Sequence, residues 1–247
     1  MTHLDPASPV FVLLDDSECM GTEGSLLEET VVALFVNGRH ADTTILSPGS
    51  LQAYVVGYLF SEEIIRSTDD IESIRIEKNR ISVLTTNPFR ITGRRKTILA
   101  GCGGSTSYID TSSLPKIPGN RFVSLSAIRD HIASLSGEME SAALADQNGL
   151  IVSYRDIDCR CAVDRAIGHG LMKKVNFSET FLCISGRVTS EMIRRCLLAG
   201  IPILVSTGKA TDLAVRIAVD RNLCLVSRIS DGRIACLSHP GRIRGSS

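Results

Sequence analysis

The chain has 247 residues, 43% of them hydrophobic and 22% charged, an ordinary composition for a globular protein that buries a substantial core. Its 27 lysine and arginine residues balance 27 aspartate and glutamate residues, which argues against nucleic acid bound by bulk charge. Aromatic residues make up only 4% and no apolar run reaches about 18 residues, so neither base stacking nor a membrane-spanning helix is expected.

The N-terminal part of the chain alternates short strand patterns with one helix. Strands are predicted at Val10–Leu14 and Val31–Val36, and an Asn-Gly turn follows the second. Ser47-Pro48 then predicts a helix start, with serine as the N-cap and proline in the first turn. The apolar runs Ile74–Ile76 and Ile81–Thr85 predict a hairpin.

Cys102 lies in the glycine-rich segment Ala100–Thr106, directly after the basic triplet Arg94-Arg95-Lys96. Glycine-rich turns can aim several N–H groups at one point, which favours an anion there. Backbone dipoles and nearby cations also lower the pKa of a thiol and raise its thiolate fraction. The segment therefore predicts a reactive thiol at Cys102, with an incidental loop cysteine as the alternative.

A stretch rich in serine, proline and glycine, Thr111–Asn120, predicts a domain boundary. The first domain, residues 1–112, is expected to be a smaller α+β unit that ends in the Cys102 loop. The second, residues 113–247, is expected to begin with a helix after Ser124. Its next predicted elements are the strands Ala142–Leu144 and Leu150–Tyr154 and a helix over Ala162–Met172.

The C-terminal half of the second domain alternates strands and helices. The predicted elements are strand Thr180–Ile184, helix Ser190–Leu198, strand Ile201–Val205, helix Lys209–Arg221 and strand Leu223–Val226. Short links between them imply right-handed crossovers and a parallel sheet. An Asp-Gly turn then predicts a last, antiparallel strand at Ile234–Leu237.

Two polar loops follow the first two of these strands, Ser185–Thr189 and Ser206–Ala210, and both are expected at the same edge of the sheet, where the strands have their carboxyl ends. Each offers hydroxyls, a glycine and one cation before a predicted helix, where free N–H groups and the helix dipole favour phosphate. The expected contacts of a phosphorylated ligand are Gly186, Arg187, Ser206 and Lys209. The alternative is ordinary helix capping beside solvated cations.

The eight cysteines do not form a disulfide pattern, and no secretory signal is evident, so a reducing cytoplasm is expected. Four of them lie in apolar patterns and are predicted to be core residues: Cys183, Cys196, Cys224 and Cys236. The pair Cys159 and Cys161, flanked by aspartates, is a candidate second thiol or metal site. A charged helix entry explains the aspartates equally well, and the spacing falls short of a zinc signature.

A set of motifs in fixed order covers the chain from about residue 28 to 244. The motifs are Val36-Asn37-Gly38, Ser47-Pro48, Gly57–Ile65, Cys102-Gly103, Ala162–Gly168, Ser185-Gly186-Arg187, Ser190-Glu191-Met192, Ala199–Ser206, and His239-Pro240 with Arg242-Ile243. Together they resemble the formate dehydrogenase accessory sulfurtransferase family, FdhD. The resemblance implies a cytoplasmic homodimer with a cytidine-deaminase-like α/β domain, built on a mainly parallel sheet, and a smaller N-terminal α+β domain.

The resemblance also implies a function. Members of the family are thought to carry persulfide sulfur from a cysteine desulfurase to the molybdenum or tungsten of a bis(molybdopterin guanine dinucleotide) cofactor used by formate dehydrogenase. Cys102 falls on the persulfide cysteine. The cofactor contacts implied for the family fall on Arg228, Ile229, Ser230, Asp231, Gly232 and Arg233. The loops with Arg187 and Lys209 suit the guanine dinucleotide arms.

Three departures from the family pattern leave alternatives open. Ser105 replaces a second motif cysteine, Asp158–Cys161 replaces Gly-Arg-His-Asn, and Glu140 replaces a usual histidine. Cys159 or Cys161 could supply the missing thiol. The protein could also be a chaperone that binds the guanine dinucleotide cofactor without sulfur chemistry, or a paralogue that serves another molybdenum or tungsten enzyme. No zinc deaminase signature is present.

Overall fold

The computed structural model describes the backbone over most of the chain. The described ranges are 10–14, 19–23, 26–87, 96–98, 105–107, 113–119, 121–135, 137–228 and 233–245. The predicted domain boundary after residue 112 lies outside them, so the division into 1–112 and 113–247 stays a prediction.

The N-terminal part contains a four-stranded sheet covered by one helix. Its described elements are β1 (Val10–Leu14), β2 (Cys19–Glu23), β3 (Thr30–Val36), β4 (Arg39–Leu46), α1 (Leu51–Ser61), β5 (Ile71–Glu77), β6 (Arg80–Thr85), β7 (Lys96–Ile98) and β8 (Ser105–Ser107). The order is β4-β3-β6-β5, and β1–β2 and β7–β8 form separate two-stranded pairs. Alternate residues of β3, Val32, Leu34 and Val36, are buried in one core with α1.

The predicted strand at Val31–Val36 and the β5–β6 hairpin are confirmed, but the helix start is not. Helix α1 begins at Leu51 with Ser50 as the N-cap residue. Ser47 instead accepts a hydrogen bond on Oγ from the backbone N–H of Ile157 at 3.2 Å, and its carbonyl accepts one from Arg165. A serine that the sequence marks as a cap thus joins two distant parts of the chain.

The C-terminal part is a three-layer α/β arrangement. Its elements are β9 (Val123–Ser124), α2 (Leu125–Ser134), β10 (Glu140–Asp146), β11 (Gly149–Asp156), α3 (Cys159–Met172), β12 (Phe181–Ile184), α4 (Ser190–Ala199), β13 (Ile203–Lys209), α5 (Asp212–Asp220), β14 (Cys224–Arg228), β15 (Ile234–Ser238) and β16 (Ile243–Arg244). The six-stranded sheet has the order β11-β10-β12-β13-β14-β15. Helices α3, α4 and α5 cover one face and α2 covers the other.

The sheet is mixed rather than mainly parallel. The pairs β12–β13 and β13–β14 are parallel, which confirms the predicted strand–helix–strand–helix–strand unit. The last strand, β15, is antiparallel to β14, as predicted. On the other side, β10 pairs antiparallel with both β11 and β12. A short hairpin rather than a crossover helix joins β10 to β11, so these two strands run in opposite directions.

Helices α1 and α3 pack backbone against backbone and join the two sheets. A Cβ on Gly57 would lie 1.7 Å from the carbonyl oxygen of Asp164, and one on Gly168 would lie 1.9 Å from that of Ala53. Glycine is therefore required at both crossing points. In the described ranges, no helix has both the length and the apolar composition needed to cross a bilayer.

Candidate functional site

The two polar loops predicted to bind phosphate lie side by side at the carboxyl ends of β12 and β13. Ser206 Oγ donates to the Gly186 carbonyl at 2.5 Å, and Thr207 Oγ1 donates to the Ser185 carbonyl at 3.0 Å. A Cβ on Gly208 would lie 2.5 Å from the Gly186 carbonyl oxygen, so the loops touch through their backbones. Their predicted proximity is thus observed.

The serine hydroxyls between these loops are engaged within the protein. Ser206 is fully buried, and its Oγ also accepts from the Gly208 N–H at 2.9 Å. Ser227 Oγ, on β14, donates to the Gly208 carbonyl at 2.8 Å. Ser206, expected from the sequence to contact a phosphorylated ligand, therefore holds the two loops at a fixed spacing, and its hydroxyl does not face solvent.

The second loop does not lead directly into a helix, contrary to prediction. Strand β13 continues to Lys209, which pairs with Arg228 on β14. Helix α5 begins only at Asp212, and Thr211 caps it by accepting on Oγ1 from the Ala214 N–H at 3.3 Å. The strand extends because its neighbour offers further pairing. Lys209 is therefore separated from the N–H groups of α5.

Four cations are exposed along this edge of the sheet, and we call them the basic edge. They are Arg187, Lys209, Arg228 and Arg233. Lys209 and Arg228 are direct register partners, and Arg228 also pairs with Ile234, the neighbour of Arg233. This arrangement favours an extended anion such as a diphosphate. Cys102 and the predicted cofactor contacts Ile229, Ser230, Asp231 and Gly232 lie outside the described residues.

Cys159 lies at the same edge, beside the first loop. Its sulfur would be 2.8 Å from a Cβ on Gly186, and Glu140 Oε2, which accepts from Ser185 Oγ at 2.5 Å, would be 3.1 Å from the same Cβ. Burial, and then the Glu140 carboxylate, raise the pKa of Cys159 to about 12, against the opposing hydrogen bond from the Gly186 N–H. Cys159 is therefore a protonated thiol at neutral pH.

Cys161 occupies a different environment, although only one residue separates it from Cys159. Both cysteines lie within α3, whose N-cap is Asp158, so this helix starts earlier than predicted. Cys161 is fully buried in the core of the four-stranded sheet, 4.0 Å from Thr44 Oγ1, and burial raises its pKa. No group of three metal-ligating side chains occurs among the described residues, the Cys159–Cys161 region included.

The aspartates flanking the Cys-x-Cys pair stabilise the fold, but only Asp158, the N-cap residue of α3, lies at the helix entry that the alternative predicts. Asp164 accepts from Arg195 Nε at 2.9 Å and from Ser61 Oγ at 2.8 Å, and both charged groups are buried. Asp156 pairs with Arg165 at 2.9 Å, also in the interior. The sequence did not indicate these ion pairs, because arginines on a helix ordinarily predict a solvent-exposed face.

Comparison with known proteins decides the family. The sequence profile of the FdhD/NarQ family matches residues 27–244, nearly the whole chain. The chain belongs to this family. Two relatives, each named sulfur carrier protein FdhD, come from Staphylococcus aureus strains MRSA252 and JH9. Each is 26% identical over 249 residues, which cover 94% of this chain and 94% of the relative.

A solved structure supports the fold of this FdhD/NarQ family member. The crystal structure of a protein from Desulfotalea psychrophila, described as a formate dehydrogenase accessory protein, superposes with a TM-score of 0.78 at 20% identity. The superposition covers 96% of this chain and 98% of that one. The family resemblance read from the ordered motifs is therefore confirmed.

Proposed function

We propose that this FdhD/NarQ family member is a sulfurtransferase that carries persulfide sulfur on Cys102. The donor would be a cysteine desulfurase, and the acceptor the molybdenum or tungsten of a bis(molybdopterin guanine dinucleotide) cofactor needed by formate dehydrogenase. The observation that carries the proposal is the family match over residues 27–244, which includes Cys102. The name of the relatives, sulfur carrier protein, supports it.

The first chemical step follows from thiolate reactivity. The Cys102 thiolate attacks the outer sulfur of the donor persulfide and displaces the donor's cysteine as a thiolate, so the sulfur–sulfur bond moves to Cys102. The acceptor cofactor is then the substrate of the second transfer. A glycine-rich segment suits this task, because a carrier must present one sulfur to two different partners.

The basic edge supports the choice of acceptor. A guanine dinucleotide arm carries a diphosphate, and guanidinium groups bind such oxygens in a bidentate manner. Arg228 and Arg233 are the first and last residues of the segment that the family resemblance assigns to the cofactor, and Lys209 is the register partner of Arg228. The cofactor phosphates would therefore lie along the edge formed by β12, β13 and β14.

The second candidate function is a chaperone that binds the guanine dinucleotide cofactor without carrying sulfur. The replacement of the second motif cysteine by Ser105 favours it. The high pKa of Cys159 and the burial of Cys161 favour it too, because neither offers a ready substitute thiolate. A paralogue that serves another molybdenum or tungsten enzyme would share the chemistry and differ in its client.

Mass spectrometry separates the two candidates. The intact chain is incubated with a cysteine desulfurase and cysteine, and the wild type should gain one sulfur that maps to Cys102. The Cys102→Ala variant should gain none, whereas Cys159→Ser, the control, should load normally. An unloaded wild type that still binds guanosine diphosphate would favour the chaperone.

The basic edge is tested by guanosine diphosphate binding in the same preparations. Arg228→Ala and Lys209→Ala should each weaken binding by about tenfold, the usual effect of losing one charge-assisted hydrogen bond. Arg75→Ala is the control, because Arg75 is an exposed cation on β5 that pairs with Glu77. Equal affinity in all four proteins would remove the edge from the proposal.

The remaining expectations also stay proposals. They are the cytoplasmic location, the homodimer, the cytidine-deaminase-like fold of the C-terminal domain and the formate dehydrogenase client. Size-exclusion chromatography with light scattering tests the homodimer directly.

A further inference from the structure

Two cysteines outside the basic edge lie in contact on neighbouring strands. The sulfur atoms of Cys224, on β14, and Cys236, on β15, are 3.7 Å apart. Cys224 is fully buried, whereas Cys236 is only partly buried. A disulfide needs its sulfurs about 2.05 Å apart, so the two sulfur atoms must approach each other further to form one.

The register of β14 and β15 places both side chains on one face of the sheet. Cys236 is paired with Val226, and Cys224, two residues before Val226 on β14, points to the same face. Cys224 belongs to the core beneath α2, and the partly buried Cys236 packs against that core. They are therefore diagonal neighbours across an antiparallel pair, close enough for side chains to interact.

Cys236 also opens onto a groove between α2 and the last strands of the sheet. The groove has a volume of about 540 Å³, enough for a small molecule. Its wall is largely apolar, and the exposed cation Arg129 stands in it. A reagent that enters the groove therefore meets the Cys236 sulfur first, with Cys224 behind it.

The pKa values of the two thiols also favour Cys236 as the attacking group. The hydrogen bond from Cys224 lowers the pKa of Cys236. The same shared hydrogen bond, together with burial, raises the pKa of Cys224. The first proton to leave the pair is therefore that of the more exposed sulfur, which is the one able to attack.

We propose that Cys224 and Cys236 are a redox-active dithiol that reduces small molecules containing a sulfur–sulfur bond. The Cys236 thiolate attacks one sulfur of that bond and displaces the other half of the molecule as a thiolate. Cys224 then loses its proton, attacks the Cys236 sulfur and displaces the second half as a thiolate. Two cysteine thiols are thereby oxidised to one disulfide, while the substrate is reduced by two electrons.

This activity is independent of sulfur loading at Cys102. It goes beyond the proposed carrier function, since it uses another pair of thiols and ends in a protein disulfide. The substrate could be an organic disulfide or an inorganic polysulfide. The shared chemistry is a sulfur–sulfur bond, and the two sources are separate arms of the test.

The test is reaction of the full chain with oxidised glutathione, followed by alkylation and tryptic mapping. Trypsin places Cys224 in peptide 222–228 and Cys236 in peptide 234–242, so a disulfide between them appears as a cross-linked pair. The wild type should give this pair, and Cys236→Ser should give none. Cys183→Ala, which removes a buried cysteine from the same face of the sheet, should leave the cross-link unchanged.

The order of attack is read from Cys224→Ala, which should stop at a stable mixed disulfide of glutathione on Cys236. Should this core variant not fold, acid quenching of the wild type at short times gives the same information, with glutathione first on peptide 234–242. Glutathione first on peptide 222–228, or a folded wild type without any cross-link in either arm, would overturn the proposal.

The second arm replaces glutathione disulfide by inorganic polysulfide and measures released sulfide. A cross-link with sulfide release identifies sulfane sulfur as a substrate, and a cross-link with oxidised glutathione alone identifies an organic disulfide. Either result supports the dithiol.

Discussion

The reactivity of each thiol follows from how far its sulfur is removed from water and which charges face it. Cys159 illustrates the balance, because it lies at the basic edge and yet has a pKa raised to about 12 by burial and by Glu140. A cation nearby is not sufficient to make a thiolate when the sulfur is desolvated and a carboxylate faces it. At this position the structure favours an inert thiol beside a tight backbone contact.

Removing the carboxylate should expose this effect. In Glu140→Gln the pKa of Cys159 should fall, so that more thiolate is present at pH 8 and iodoacetamide modifies Cys159 about threefold faster or more. The amide oxygen still accepts from Ser185, so the loop is retained. The rate is followed on the tryptic peptide ending at Arg160.

The matched control is Glu138→Gln, which removes an exposed carboxylate two residues away. Its alkylation rate should equal that of the wild type. An unchanged rate in Glu140→Gln would mean that burial alone sets the pKa of Cys159.

At the scale of elements, helices α1 and α3 pack in direct backbone contact. Their axes approach until backbone meets backbone, and buried ion pairs such as Asp164 with Arg195 fill the space beside the crossing. Such pairs contribute little net stability but strongly oppose any arrangement that leaves one charge unpaired. The crossing is therefore fixed by sterics and by charge at once.

A single methyl group should disturb this crossing. Gly57→Ala places a Cβ 1.7 Å from a backbone oxygen, so the helices must separate, and we expect a loss of about 3 kcal/mol or more in the free energy of unfolding. Gly241→Ala is the control, since nothing lies within 4 Å of its Cβ, and it should change stability by less than about 0.5 kcal/mol. Urea unfolding followed by circular dichroism measures both. Equal midpoints would contradict the close packing.

At the scale of the whole molecule, the α1–α3 junction couples the two sheets. Ser47, directly after β4, accepts a hydrogen bond from the Ile157 N–H and donates one to Asp156 at the end of β11. Arg194, on α4, donates to the Ser61 carbonyl at 2.5 Å and pairs with Glu63 at 3.0 Å. Because of these contacts, separating the two sheets would leave polar groups on both sides of the junction without their partners.

We therefore expect one cooperative unfolding transition. Cys161 reports on the core of the four-stranded sheet and Cys183 on that of the six-stranded sheet, and both are fully buried. Pulsed alkylation at increasing urea should modify both at the same midpoint. Cys161 becoming reactive at a lower concentration would show that the two predicted domains unfold separately.

Sequence patterns predicted those elements whose signals are local. Helix α4 begins at Ser190 and ends before Gly200, which has a φ of 76°, the left-handed conformation that favours glycine after a helix. The parallel strands β12, β13 and β14 follow from apolar runs separated by helices of the right length. Strand β4 was missed, because it is short of large apolar residues and takes its place by pairing with β3.

The site was predicted less completely than the fold. The two loops were correctly placed together, but the roles of their hydroxyls were not, because Ser206 is satisfied by Gly186 and Gly208 across the sheet edge. Cys236 was predicted as a core residue and is instead half-buried in a groove wall. The spacing of the cysteines alone does not reveal which sulfur contacts another, since that depends on the register between β14 and β15.

The sequence by itself determined the family and the strands and helices from β12 to β15, because periodicity, capping and motif order are properties of near neighbours. Only the tertiary structure decided where β13 ends, which groups form hydrogen bonds with Ser47 and which cysteines are in contact. Those outcomes depend on partners far away in the chain, 110 positions in the case of Ser47 and Ile157. Burial and pairing of polar groups are settled when such partners pack, and no local pattern encodes them.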